Sequence, residues 1–175
     1  MASHWIIDAY NFIRQSPYLS NIEVHQEERA KEELFQFLND FAEITQEKII
    51  VVFDAYSGTH SEPIKKIKGY LSIIESRGSY TADEEIIMLA QSLREAAIVI
   101  SSDREVMRGA SKAGASILSS SEFEREVDKI LDLYEAISED PDRFSGLPPK
   151  RTQVPKEKKK AYRLLRKYQD PKFFL

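Results

Sequence analysis

Cysteine is absent from the 175 residues, histidine occurs three times, glycine six times and tryptophan once. Each shortage closes a class of chemistry. Without cysteine there are neither disulfides nor thiolate metal sites, which fits a reducing compartment, so a cytoplasmic location is the expectation. His4, His25 and His60 never pair at ligand spacing, which disfavours an imidazole-held zinc. No glycine-rich loop of the Walker type is present, which argues against a P-loop nucleotide hydrolase. No apolar run approaches the roughly 18–20 residues that span a bilayer. The first residues enter a strand-like run with no basic-then-apolar leader, so no membrane partner is expected. No internal repeat is visible.

What is present is charge, unevenly spread. The net charge of −4 hides a split: residues 144–175 hold ten Lys and Arg against Glu157 and Asp170, a balance of +8, which leaves −12 on residues 1–143. An acidic body with a basic tail puts long-range attraction for a polyanion on the tail. Composition also shifts beyond Ile137, where Asp140-Pro141, Gly146, Pro148-Pro149 and Pro155 read as a linker. The expected organisation is a domain over residues 1–138, then a linker and basic C-terminal tail over 139–175, with Lys156–Tyr168 as a short basic helix.

Three apolar runs stop at a carboxylate. Trp5-Ile6-Ile7 ends at Asp8, Ile49–Phe53 ends at Asp54, and Ala96–Ile100 ends at Ser101-Ser102-Asp103. Short runs rich in β-branched residues read as strands buried on both faces of a parallel sheet. Helical periodicity separates them: Ala30, Leu34, Phe37, Leu38 and Phe41 share one stripe over about residues 26–44. Thr81-Ala82-Asp83-Glu84 matches a capping box opening a helix to about Arg94, and Ser102-Asp103-Arg104-Glu105 matches a second. Tyr70–Glu75 and Ala115–Leu118 read as further strands, and Ser119-Ser120-Ser121 starts a long amphipathic helix. Pro17 and Asn21 mark the segment after Asn11 as a loop, and Ala55–Ile64 carries loop chemistry. Alternating strand and helix give an α/β domain with a mostly parallel sheet of about five strands.

In such a sheet ligands bind outside the carboxyl ends of the strands. Asp8, Asp54 and Asp103 should therefore meet in one crevice, with Asp83 at the start of its helix as a fourth. Each alone has an ordinary explanation, as a turn residue or as an acid favoured by a helix dipole. Gathered together they repel and raise one another's pKa, a cost that a divalent cation removes. Oxygen donors with no Cys and little His favour Mg2+ or Mn2+. With such ions the commonest chemistry is at phosphorus.

Ile6-Ile7-Asp8-Ala9-Tyr10-Asn11, Val51-Val52-Phe53-Asp54-Ala55, Thr81-Ala82-Asp83 and Ser101-Ser102-Asp103-Arg104 occur in the order and spacing of the YacP-like NYN domains. Arg29, and the Gly109-Ala110 or Gly114-Ala115 pairs, also look similar, and the resemblance covers roughly residues 4–135. It implies a PIN-like, Rossmann-like three-layer sandwich and a metal-dependent endoribonuclease acting on single-stranded RNA, with messenger RNA on the ribosome as one implied target. By that resemblance Asp8, Asp54, Asp83 and Asp103 form the catalytic metal cluster for Mg2+ or Mn2+. Asn11 is the accompanying amide, and Thr81, Ser102 and Arg104 surround the site. The chain departs from the family pattern at Ala9, where Gly is usual, and at Tyr80, where Glu is usual.

Tyr10, Tyr56 and Tyr80 each flank a proposed site carboxylate and are candidates for base stacking, with Arg14 beside Tyr10 as an RNA contact. In the tail, Lys156, Lys158, Lys159, Lys160, Arg163, Arg166 and Lys167 are candidates to meet successive phosphates of RNA, free or on the ribosome. A haloacid-dehalogenase phosphatase would need a second Asp where Tyr56 stands. A receiver domain leaves Asp8-Ala9-Tyr10-Asn11 unexplained. The remaining alternative is a protein that keeps this fold and binds RNA or the ribosome without cutting.

Overall fold

The computed structural model describes residues 2–55, 61–144 and 154–175. Strand β1 (His4–Asp8) is followed by helices α1 (Ala9–Gln15), α2 (Pro17–Glu23) and α3 (Glu27–Thr45), then β2 (Lys48–Phe53). A hairpin of β3 (Ile64–Lys68) and β4 (Leu71–Glu75) precedes α4 (Ala82–Leu93), β5 (Ala97–Ile100), α5 (Arg104–Lys112) and β6 (Ser116–Leu118). Helix α6 (Ser120–Glu139) and, after residues outside the described set, α7 (Lys159–Tyr168) complete the chain.

The strands form one sheet in the order β3-β4-β2-β1-β5-β6, parallel except for β3 at one edge. Strand pleating sends alternate side chains to opposite layers. Trp5 and Ile7 enter a core with α1, α3, α6 and α7, while Ile6 enters a second core with α4 and α5. The domain is thus a three-layer α/β/α sandwich. Trp5 is fully buried, packs edge-on to Phe41 and beside Phe123, and donates its indole N–H to Glu47 at 3.1 Å.

From β1 the chain builds outward to β2 and β4 with its helices on one layer. It then returns across the sheet through α4 to β5 and β6, with α4 and α5 on the other layer. Right-handed crossovers require that change of layer. The reversal point, between β1 and β5, is where open α/β sheets bind ligands.

Three local expectations are corrected. The sheet has six strands rather than about five, because Ile64–Lys68 is an edge strand whose mostly exposed side chains show no buried run. Its lysines suit an edge, where charge discourages pairing with another chain. The segment after Asn11 is two helices: Ser16 caps α2 by accepting the Leu19 N–H at 3.2 Å, and Pro17 occupies the first helical position. Both are start signals. Finally, the cap of α5 is Asp103, not Ser102. Its carboxylate accepts the N–H groups of Glu105 and Val106 at 2.8 and 3.0 Å.

The basic tail segment is docked against the domain. Ala161, Leu165 and Tyr168 lie on one face of α7 and join the same core as Trp5. The Gly146 and Pro148-Pro149 part of the expected linker lies outside the described residues.

Candidate active site

The four aspartates stand at one edge of the sheet. Asp8 ends β1, Asp54 follows β2, Asp83 lies in the first turn of α4, and Asp103 caps α5 just beyond β5. Asp8 is buried, with 5% of its surface exposed. Burial pushes its carboxyl up to about 6 against the pull of the Ser101 hydroxyl, and the Asp83 and Asp103 carboxylates push the same way. Burial also raises Asp83, whose neighbours Asp103 and Asp54 add to the shift. Asp83 is thus the electrostatic hub, coupled to all three of the others.

Each of the others spends an oxygen on the fold. Asp8 Oδ2 accepts from Ser101 Oγ at 2.9 Å, Asp54 Oδ1 accepts the Ala82 N–H at 2.6 Å, and Asp103 Oδ1 caps α5. Asp83 makes no hydrogen bond among the described residues. Nor do three carboxylate or imidazole groups among the described residues converge closely enough to hold an ion. The arrangement is an open set of carboxylates along one edge of the sheet, from buried Asp8 through half-buried Asp83 and Asp103 to exposed Asp54, with oxygen donors only. That donor set fits a hard cation which keeps much of its own water, as Mg2+ does; it does not form an all-protein cage.

The polar support is dense. Asn11 Oδ1 accepts the Ser102 N–H at 2.8 Å and the Ser120 hydroxyl at 2.9 Å, tying α1 to the β5–α5 turn and to the start of α6. Ser102 Oγ accepts the Ser120 N–H at 3.2 Å. Thr81 and Glu84 form the complete capping box that aims α4 at the crevice. Arg104 is exposed at the first position of α5.

Ser101 escaped the sequence reading. Fully buried, it donates to the Asp8 carboxylate and accepts the Asp103 backbone N–H at 3.1 Å, so one hydroxyl ties the Asp8 carboxylate to the backbone of Asp103. The signal was its place at the end of an apolar run, one residue before the serine that was singled out.

The candidate RNA contacts divide. Tyr10 is engaged by the fold: its ring meets Phe53 edge-on and its hydroxyl donates to Glu27 at 3.0 Å. Arg14 lies over that ring and 3.9 Å from Glu23. Tyr56 lies outside the described residues. In the tail, Lys158 pairs with Glu122, Lys160 donates to the Glu95 carbonyl, and Arg166 and Lys167 lie over aromatic rings. Lys156, Lys159 and Arg163 are exposed.

A sequence profile of the YacP-like NYN domain matches residues 5–167. The chain belongs to the YacP-like NYN domain family. The match runs into α7, in line with the docking of that helix. The protein YacP of Bacillus subtilis (strain 168) is 32% identical over 128 residues, spanning 71% of this chain and 75% of that protein. Two crystal structures of Rae1 (YacP) from Bacillus subtilis share the fold. One, a point mutant, has a TM-score of 0.62 and 27% identity over 79% of this chain and 85% of its own. The other has a TM-score of 0.61 and 28% identity over 81% and 85%. The architecture is PIN-like, and NYN domains are in general nucleases.

Proposed function

We propose that this NYN domain is a divalent-metal-dependent endoribonuclease that hydrolyses phosphodiester bonds in single-stranded RNA at the Asp8–Asp54–Asp83–Asp103 crevice. The observation that carries the reading is the gathering of four aspartates at the carboxyl ends of β1, β2 and β5 and the start of α4, beside the sheet's reversal point. A fold with no cation to bind gains nothing from holding Asp8 buried beside Asp83 and Asp103. Bound there, Mg2+ or Mn2+ activates water and offsets charge building on the phosphate. Ser101 orients Asp8, Asn11 ties the surrounding loops together, and exposed Arg104 supplies a cation for the RNA backbone.

The exposed cations Lys156, Lys159 and Arg163 of the docked tail extend the attraction for RNA beyond an acidic body. RNA free in solution and messenger RNA on the ribosome are both compatible targets. The open crevice also favours a second reading, an RNA-binding domain that does not cut, because no three acidic groups among the described residues close on one point.

Cleavage of a single-stranded RNA in Mg2+ or Mn2+ separates the two. The nuclease reading expects 5′-phosphate and 3′-hydroxyl ends, loss of cutting in EDTA, and loss of at least about a hundredfold in rate for Asp8→Asn or Asp83→Asn. Cutting that persists in EDTA, or 2′,3′-cyclic phosphate ends, would overturn the mechanism.

A further inference from the structure

The turn between β4 and α4 is fastened at both ends to the crevice wall. Ser76, buried after β4, donates its N–H to the Phe53 carbonyl at 2.9 Å, and its hydroxyl accepts the Ala55 N–H at 3.0 Å. Those two bonds grip the backbone on either side of Asp54. At the other end, the Ala82 N–H is held by the Asp54 carboxylate itself.

Within this turn Arg77 is locked. Its backbone N–H and Nε donate to Glu85 Oε1 at 3.3 and 2.5 Å, and Nη2 donates to Oε2 at 3.3 Å. Glu85 is buried, with 3% exposed. The locked guanidinium stands 4.9 Å from the ring centroid of Tyr80, whose N–H donates to the Arg77 carbonyl at 2.9 Å. Tyr80 is nevertheless 40% exposed. A large ring is thus held at the crevice rim, two residues from an amide bonded to Asp54, with one rigid planar group against it and much of it in water.

We propose that Tyr80, backed by Arg77, is a stacking platform for one unpaired base of the RNA, and so selects single-stranded nucleotides beside the scissile phosphate. The inference rests on the RNA-cutting reading for its substrate, but its binding consequence is separable from cutting. A stacked ring needs no matching hydrogen bonds, so the platform accepts any exposed base and rejects a paired one. Because Arg77 spends its charge on Glu85, the contribution comes from stacking rather than from phosphate attraction.

The test uses the full chain and a short single-stranded RNA carrying one 2-aminopurine, in Ca2+ to suppress hydrolysis. Wild type should quench the fluorophore. Tyr80→Ala should weaken binding roughly five- to a hundredfold, the range for loss of one stacked base, with quenching lost. Tyr80→Phe should restore both. The log–log dependence of affinity on salt should stay the same in Tyr80→Ala, since no phosphate contact is removed. Unlabelled RNA is cut in parallel in Mg2+ or Mn2+. If wild type cuts and Tyr80→Ala binds and quenches equally well, the platform is wrong and the nuclease reading stands. If wild type neither binds nor cuts, both fall.

Discussion

Asp8 is a carboxylate that the fold prefers protonated. Its acid form is favoured up to about pH 6, against an ordinary value of 3.8. A raised native value means stability present in full below about pH 4 and lost as pH rises through about 6. Two units correspond to about 3 kcal/mol. Metal-free protein should therefore unfold more easily at pH 7.5 than at pH 5, and Asp8→Asn should flatten that slope. An amide oxygen can still accept the Ser101 hydroxyl, so at pH 7.5 in EDTA the variant should be more stable than wild type by about 1–3 kcal/mol. Urea unfolding at both pH values measures this. A variant that is equal or weaker at pH 7.5 would mean the Asp8 charge is not strained. The residue was visible in the sequence because an apolar, β-branched run stops at its carboxylate, and it gained weight there only beside the matching ends at Asp54 and Asp103.

At the scale of elements, α7 departs most from its sequence. Read from composition it is a cationic tail; in the fold its Ala161, Leu165 and Tyr168 complete the layer over Trp5 and Phe41. Tyr168 also donates to Glu47, the residue that accepts the Trp5 indole. Leu165→Ala should cost about 2–5 kcal/mol and lower the whole unfolding transition rather than free a tail, as calorimetry would show. A separate early transition, with the main one unmoved, would make α7 an independent appendage. Ending the chain near Phe144 would strip this layer, so the RNA role of the tail is better read from its exposed cations alone. The α7 pattern was legible as an amphipathic stripe. Which surface the stripe covers was not, because docking depends on a complementary layer assembled from α6, some forty residues upstream, and from Phe41 and Glu47, more than a hundred residues away. Strand β3 was missed for a related reason: an edge strand has half its ladder and little burial, so it lacks the apolar run that reveals a central strand. Its tight turn is visible only afterwards, with Gly69 at φ +61 and Asn39 accepting the Tyr70 N–H at 2.8 Å.

For the whole molecule, the nuclease reading requires that a cation binding at the four aspartates release free energy to the folded state. An ion that binds only the native state stabilises it by mass action. Mg2+ or Mn2+ should raise the melting temperature of wild type by several degrees at about a hundred times the dissociation constant. Asp83→Asn, which removes the hub, should lose most of that gain, and EDTA should reverse it. No shift in wild type at millimolar metal would leave the non-cutting reading in possession. The sequence alone determined that strands end in carboxylates, that the sheet is mostly parallel, and hence that Asp8, Asp54 and Asp103 share an edge. Those features are local, and parallel pairing carries every strand end to the same side. Only the tertiary structure decided the order β2-β1-β5, which sets Asp83 among the other three. It also decided which oxygens the fold consumes. Ser101 reaches Asp8 across 93 positions and Ser120 reaches Asn11 across 109; bonds over such distances leave no periodic trace, since chain folding and not spacing brings the partners together.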